Sequence, residues 1–232
     1  MKSILPGELV GRVGVTARSL PSRELGGDCY DYGWIDDDHL VVYVIDVSGH
    51  GVEPALVAVS VHNTLRSGSL PQAVLLEPDQ VLTELNRFFR MDQHDGNYFT
   101  IWYGVYEVAT RKLRYASAGH PPALVFTSGG TGLPPMELST PTIPIGIFAN
   151  PNFITRNFDV PANAQILLYS DGAYELVSDS GELTSLSDFI ALCTRLVQSP
   201  DWSVDTIIAE LQEIVGPRSF DDDCTLVLLN IP

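Results

Sequence analysis

Aspartates stand at the ends of four predicted strands that are far apart in this 232-residue sequence. Asp28 opens one strand, Asp46 and Asp171 each follow an apolar run, and three aspartates at 221–223 precede the last strand. A carboxylate at the end of a buried strand is costly unless it caps a turn, pairs with a cation or binds a metal. The sequence places no basic residue beside these positions to neutralise all of them. Short oxygen ligands from several strands suit Mg²⁺ or Mn²⁺, and two such ions side by side hydrolyse phosphate esters, so we predict a binuclear metal centre.

The spacing of apolar side chains predicts the strands and helices that carry these residues. Runs rich in β-branched and aromatic residues predict strands at 29–35, 40–46, 98–108, 112–118, 123–127, 152–160, 165–169 and 224–229. Helical spacing predicts helices at 52–66, 78–90, 186–197 and 204–215. Short turns between neighbouring strands favour antiparallel sheets, and two amphipathic helix pairs need flat surfaces to cover. We predict an α+β fold, a four-layer α-β-β-α sandwich, with a single sheet covered on one side as the rival architecture.

Composition narrows the class of protein. Hydrophobic residues make up 45% of the chain, and 29 acidic against 13 basic residues give a formal net charge of −16. This charge disfavours binding to nucleic acids and to anionic membranes. No run of 18 apolar residues and no signal peptide are recognisable, and three cysteines without CxxC spacing predict small buried thiols rather than disulfides or a zinc site. We interpret residues 1–232 as one cytoplasmic domain.

Five short motifs surround the aspartates and a neighbouring turn. They are Gly26-Gly-Asp-Cys-Tyr-Asp31, Asp46-Val-Ser-Gly-His-Gly51, Ala118-Gly-His-Pro-Pro122, Tyr169-Ser-Asp-Gly172 with Glu175, and Asp222-Asp-Cys-Thr225. In this order and spacing the sequence resembles the SpoIIE-like branch of the PPM-type metal-dependent protein serine/threonine phosphatases, bacterial regulators of sigma-factor partner switching. The resemblance extends over nearly the whole chain. It implies a β-sandwich flanked by helix pairs, which agrees with the architecture predicted from the residues.

The resemblance also implies a ligand set and a mechanism. The family's ligands to two divalent cations, Mn²⁺ or Mg²⁺, fall on Asp28, Asp46, the carbonyl of Val47, Asp171 and Asp222. Asp28 and Asp46 would be shared by both ions, and a one-residue shift would replace Asp222 by Asp223. The implied reaction is direct hydrolysis of phosphoserine or phosphothreonine by a metal-bridging water, without a cysteine or histidine nucleophile.

Other residues match the family less completely. Arg23 stands at the offset of a phosphate-binding arginine in eukaryotic relatives, and the alternative is a solvated loop residue. His50 lies four residues after Asp46, whereas the histidine of eukaryotic relatives lies two after it, so its role as an acid or orienting group is an open alternative to a loop histidine. Supporting roles are assigned to Asp31, Gly49, Asn86 and Asp223.

Partners come from the resemblance alone. It implies a phosphoprotein substrate, a STAS-type anti-anti-sigma factor, and an N-terminal sensor or receiver domain or an activator acting on helices 52–66 and 78–90. Residues 1–11 resemble the end of a linker that leads into the domain. Two other interpretations remain: a catalytically silent binding or regulatory module with the same fold, and a hydrolase of small phosphate esters.

Overall fold

The computed structural model describes residues 5–22, 25–49, 51–91, 96–127, 133–178 and 181–232. Ten strands form two five-stranded sheets, and every pair of neighbouring strands is antiparallel. Within these ranges, no helix is both long enough and apolar enough to cross a membrane.

One sheet has the strand order β1-β10-β9-β6-β7. Its strands are β1 (Gly14–Leu20), β10 (Cys224–Ile231), β9 (Ala164–Tyr169), β6 (Ala123–Thr127) and β7 (Met136–Leu138). The other sheet has the order β2-β3-β4-β5-β8. Its strands are β2 (Asp28–Trp34), β3 (His39–Val47), β4 (Phe99–Glu107), β5 (Lys112–Ala118) and β8 (Arg156–Asp159).

Helices cover the outer face of each sheet. They are α1 (Val52–Arg66), α2 (Gln72–Leu75), α3 (Pro78–Phe88), α4 (Leu186–Leu196) and α5 (Val204–Val215). Helices α4 and α5 each begin with a capping box, in which the serine before the helix and the third helical residue exchange hydrogen bonds. Proline at the first position of α3 leaves no backbone N–H unpaired there.

Side-chain alternation along the strands divides the core into three layers. On β3, Leu40, Val42 and Val44 face the first sheet, β1-β10-β9-β6-β7, whereas Val41 and Tyr43 face α1 and α3. A third apolar layer fills the space between the first sheet and helices α4 and α5. The strand 40–46 is therefore buried on both faces, as its unbroken apolar run predicts.

The four-layer sandwich is confirmed, and the single-sheet alternative is wrong. Two strands and one α-helix were not predicted: β1, β7 and the short helix α2. Strand β1 alternates small inward residues with polar outward ones, so it lacks the dense apolar run of the other strands, and its pairing with β10 defines it. The strand predicted at 152–160 is shorter, because only Arg156–Asp159 pairs with β5. All three cysteines are buried free thiols.

Candidate metal centre

The alternation of β2 and β3 brings Asp28 and Asp46 together. Asp28 lies directly opposite Asp46 in the strand register. Asp46 has the same parity as the inward-facing Leu40, Val42 and Val44, so its side chain faces the space between the sheets. Both carboxylates therefore lie at one end of the inter-sheet core.

Asp28 is the more deeply buried of the two, with 3% of its surface exposed. Burial raises its pKa well above the ordinary value, and repulsion from Asp46 raises it further. The hydroxyls of Thr225 and Ser170, from the facing sheet, partly counter this effect. Its Oδ2 atom is buried and has no hydrogen-bond partner among the described residues.

The carboxylates of the facing sheet act on Asp46. Asp171 follows β9, and residues 221–223 precede the neighbouring strand β10. Burial raises the pKa of Asp46 well above its usual range, and the negative charges of Asp171 and Asp222 add to the effect. Burial together with Asp222 and Glu175 raises the pKa of Asp171 to about 6. Four positions predicted from strand ends in the sequence thus converge on one site.

Asp222 and Asp223 differ in their surroundings. Asp223 is buried, and its Oδ1 atom accepts hydrogen bonds from the backbone N–H of Ser22 at 2.8 Å and from its hydroxyl at 3.1 Å. Asp222 is exposed, and its Oδ1 atom accepts a hydrogen bond from the N–H of Asp223 at 2.7 Å. Asp223 therefore anchors the segment that follows β1, whereas Asp222 lies closer to solvent.

Glycines leave space around these carboxylates. A Cβ atom at Gly26 would overlap the carboxylate of Asp223, and one at Gly172 would overlap the Asp223 carbonyl. A Cβ atom at Gly27 would lie 2.7 Å from the carbonyl oxygen of Val47. Any larger residue at these positions would displace groups of the site.

The donor set fits hard divalent cations. Among the described residues, no three carboxylate, imidazole or thiol groups lie close enough together to enclose an ion with the side chains as placed. The chemistry is nevertheless that of such a site: the charged groups that raise the pKa of Asp46 are all carboxylates, and Asp28 has a buried, unpartnered oxygen. Clustered oxygen anions of this kind are the preferred ligands of Mg²⁺ and Mn²⁺.

Two predicted supporting residues lie away from the cluster. Asp31 has the opposite parity to Asp28 on β2 and pairs with Arg66 of α1 at 3.0 Å. Asn86 is buried on α3, where it donates to the carbonyl of Phe148 at 3.0 Å and accepts from the N–H of Gly146 at 2.9 Å. Both residues connect helices to strands or loops, which is a structural role.

Gly49 has a φ of +91°, which favours glycine in the turn after β3. The predictions for Arg23 and His50 fall outside the described residues.

The hydroxyl groups that surround the carboxylates were not predicted from the sequence. Ser170 donates to the carbonyl of Asp223 at 3.0 Å and accepts from the N–H of Thr225 at 2.9 Å. Thr100 lies opposite Asp46 in the register, and its hydroxyl is 2.7 Å from Nδ1 of His120. Burial lowers the pKa of His120 to about 3, so this histidine is neutral. Both Ser170 and Thr225 stand at the end of an apolar strand, at positions where the alternation of side chains points toward the other sheet. This pattern is the sequence signal that could have identified them.

Comparison with known proteins identifies a matching family and two similar sequences. The family model of stage II sporulation protein E (SpoIIE) matches residues 36–232. The chain is 32% identical over 158 residues to phosphoserine phosphatase RsbP of Bacillus subtilis, covering 66% of this chain and 38% of the relative. It is 25% identical over 219 residues to phosphoserine phosphatase RsbU of the same organism, covering 93% and 62%. The chain thus spans less than two thirds of the length of each relative.

A solved structure shows the same fold. The SiaA-PP2C domain of Pseudomonas aeruginosa superposes with a TM-score of 0.81 at 18% identity, covering 94% of this chain and 86% of that domain.

Proposed function

Because this chain belongs to the SpoIIE family, whose model matches residues 36–232, we propose that it is a metal-dependent protein phosphatase. Its substrates are phosphoserine and phosphothreonine side chains of proteins. The observation that carries the proposal is the convergence of Asp28, Asp46 and Asp171 with the 221–223 segment at one end of the inter-sheet core. Without a bound cation this cluster would be unfavourable, because each carboxylate raises the free-energy cost of burying the others.

We assign the cations to the carboxylates of Asp28, Asp46, Asp171 and Asp222 and to the carbonyl of Val47. By resemblance to the family, Asp28 and Asp46, which lie opposite each other in the register, would be the ligands common to both ions. We favour Asp222 over Asp223 as the ligand, because Oδ1 of Asp223 already accepts two hydrogen bonds from Ser22. When bound, two Mn²⁺ or Mg²⁺ ions supply the Lewis acidity that makes water nucleophilic at neutral pH and the positive charge that faces the phosphoryl oxygens.

The remaining residues orient these ligands. The Ser170 and Thr225 hydroxyls favour the charged form of Asp28 and so hold it ready to bind a cation. Asp223 anchors Ser22, the residue before Arg23, next to the carboxylates. By resemblance to eukaryotic relatives, we also propose a phosphate-binding role for Arg23, whose guanidinium would hold two phosphoryl oxygens. His50 retains its proposed role as an acid or orienting group.

The protein substrate is proposed from the relatives. RsbP and RsbU are named phosphoserine phosphatases. By resemblance to their family, we propose a STAS-type anti-anti-sigma factor as the substrate, in a cytoplasmic partner-switching pathway. An activator or N-terminal domain would act on α1 and α3, which cover the sheet that carries Asp28 and Asp46.

Hydrolysis of p-nitrophenyl phosphate tests the activity. We expect turnover with Mn²⁺ or Mg²⁺, none in EDTA, and a loss of at least about 1000-fold in the Asp46→Asn variant, because a metal ligand is removed. Asp37→Asn is the matched control, since Asp37 is an exposed aspartate in the β2–β3 turn.

Other outcomes identify the alternatives. Absence of turnover with every metal, together with no metal binding by calorimetry, would indicate a silent binding module. Turnover of p-nitrophenyl phosphate without turnover of any phosphoprotein would favour a hydrolase of small phosphate esters. Turnover in EDTA that persists in Asp46→Asn would contradict the assigned site.

A further inference from the structure

Exposed aromatic side chains are concentrated at the end of the sandwich where the carboxylates lie. Among the described residues, three aromatic side chains are more than a third exposed: Phe88 at 40%, Tyr98 at 37% and Phe148 at 59%. Met91 and Ile147, at 37% and 36%, are their neighbours in sequence. We call these five residues the aromatic face.

Hydrogen bonds connect the aromatic face to the carboxylate cluster. Phe99 lies opposite Val47 in the register, so Tyr98 stands beside the loop that follows Asp46. The N–H of Ser48 donates to the Tyr98 carbonyl at 2.9 Å, and the Tyr98 N–H donates to the Ser48 hydroxyl at 3.2 Å. Tyr98 is therefore hydrogen-bonded to Ser48, which lies two residues after the proposed metal ligand Asp46 in the sequence.

The rest of the aromatic face is fixed to the same segment. Ile145 and Phe99 exchange two backbone hydrogen bonds, of 2.8 and 3.3 Å, which place Ile147 and Phe148 beside the start of β4. Buried Asn86 of α3 holds this loop through Gly146 and the carbonyl of Phe148. The aromatic face is thus built on rigid backbone contacts from three separate parts of the chain.

Cationic side chains border the aromatic face. Arg87 is 65% exposed, pairs with Glu84 at 2.6 Å, and its guanidinium lies 4.6 Å from the centre of the Phe88 ring. Arg87 and Arg90 line a cavity of about 330 Å³ between α3 and the loop after Phe148. Aromatic residues and arginine are the types that dominate binding energy at protein interfaces.

We propose that the aromatic face docks the phosphorylated protein substrate, through an apolar patch next to its phosphoserine or phosphothreonine. This inference rests on the proposed function. The Tyr98 backbone is bonded to the loop after Asp46, so a folded protein that brings its phosphoserine to the carboxylates approaches the aromatic face as well. A second copy of this chain is a poorer occupant, since each copy carries a formal net charge of −16.

The test compares a protein substrate with a small one. A STAS-domain protein phosphorylated on serine and p-nitrophenyl phosphate are hydrolysed by the wild type, Phe148→Ala and Phe88→Ala/Phe148→Ala. We expect the ratio of kcat/KM on the phosphoprotein to kcat/KM on p-nitrophenyl phosphate to fall at least about tenfold in the double variant. Met136→Ala is the matched control, because Met136 is 43% exposed on the edge strand β7 of the other sheet. An unchanged ratio in the double variant overturns the docking role.

A binding measurement separates this inference from the proposed function. The phosphorylated STAS-domain protein is titrated into Asp46→Asn with and without the two alanine substitutions. We expect Kd to rise at least about tenfold when the aromatic face is truncated. Equal Kd values, or no binding to the parent Asp46→Asn chain, overturn docking even if the wild type is an active phosphatase. Dimerisation of the wild type that the alanine substitutions abolish in sedimentation velocity also overturns it, in favour of a second copy.

Discussion

Two aspartates on β2, Asp28 and Asp31, are each 3% exposed but have opposite surroundings. Asp31 faces α1, where Arg66 supplies a cation at 3.0 Å and the N–H of Tyr32 donates a hydrogen bond at 2.8 Å. Asp28 faces other carboxylates, and one of its oxygens has no hydrogen-bond partner among the described residues. One face of the strand thus carries a neutralised charge and the other a cluster of like charges. Burial alone therefore does not identify a candidate metal ligand, whereas the sign of the charges around a buried carboxylate does.

Replacement of Asp28 should change activity more than any other substitution considered below. Asp28→Asn should lower metal-dependent hydrolysis of p-nitrophenyl phosphate at least about 1000-fold, because it removes a bridging ligand. In EDTA the same variant should be more stable than the wild type by about 1 kcal/mol, because one partner of the Asp28–Asp46 repulsion is gone. Steady-state kinetics and urea unfolding in EDTA measure the two effects. A variant that is active, or that is less stable than the wild type in EDTA, would contradict the assignment of Asp28 as a metal ligand among like charges.

The second largest effect is expected when Arg66, the cation beside Asp31, is removed. The Arg66 side chain is 52% exposed and that of Asp31 only 4%, so Arg66→Met leaves a buried charge without its partner. We expect a loss of about 3 kcal/mol in unfolding free energy at pH 8. Arg195→Met is the control, since Arg195 pairs with Glu210 at the surface and should contribute less than about 1 kcal/mol.

The same variant has a defined pH dependence. Burial raises the pKa of Asp31 in the folded chain, and Arg66 partly lowers it again. Without Arg66 the folded-state pKa rises further, so the folded chain retains a proton that the unfolded chain has lost. The stability difference between Arg66→Met and wild type should therefore be smallest at acidic pH and grow as pH rises through that pKa. A difference that is constant with pH would contradict this assignment.

A smaller effect is expected from the backbone that supports the cluster. Gly172→Ala places a Cβ atom against the Asp223 carbonyl, so the 222–223 segment must move away from Asp171. We expect a loss of about 2 kcal/mol in stability and weaker metal binding by calorimetry. Gly33→Ala on β2 is the control, because its Cβ atom would meet only Arg66 Nη2, at 4.0 Å. Equal effects of the two substitutions would contradict the inference that the close contact between Gly172 and the Asp223 carbonyl supports the cluster.

The smallest effect concerns the hydroxyl that supports Asp31. The Tyr43 hydroxyl lies 3.4 Å from Asp31 Oδ2 and 3.1 Å from His62 Nδ1. Tyr43→Phe should cost about 1 kcal/mol of stability and leave metal-dependent activity within about twofold. Thermal unfolding and p-nitrophenyl phosphate hydrolysis measure both quantities. A large loss of activity would show that the two faces of β2 are coupled.

Much of the fold was predictable because its strands carry dense signals. The run 40–46 is apolar and β-branched, and it is buried on both faces as predicted. Strand β1 was missed because Thr16, Arg18 and Ser19 interrupt its apolar residues, so its pairing with β10 stabilises it rather than local propensity. Long-range pairing of this kind leaves no local mark in a sequence.

The candidate site was predictable in its members but not in its surroundings. Asp28, Asp46 and Asp171 were found from strand ends and converge. Asp31, inside the predicted strand 29–35, was assigned only a supporting role, and its pairing with Arg66, 35 residues away, shows which charge it meets. The hydroxyls of Ser170 and Thr225 were missed, because serine and threonine at strand ends are common in turns.

The sequence was enough to predict a four-layer sandwich, the strand ends at which carboxylates stand and the chemistry that such carboxylates favour. These properties follow from residue type and from periods of two and 3.6 residues, which are local. The folded structure was needed to show which buried aspartate pairs with a cation, which one lies among other carboxylates, and which exposed aromatic residues lie near Tyr98. These depend on contacts between segments distant in the chain, whose distances are set by the packing of the two sheets.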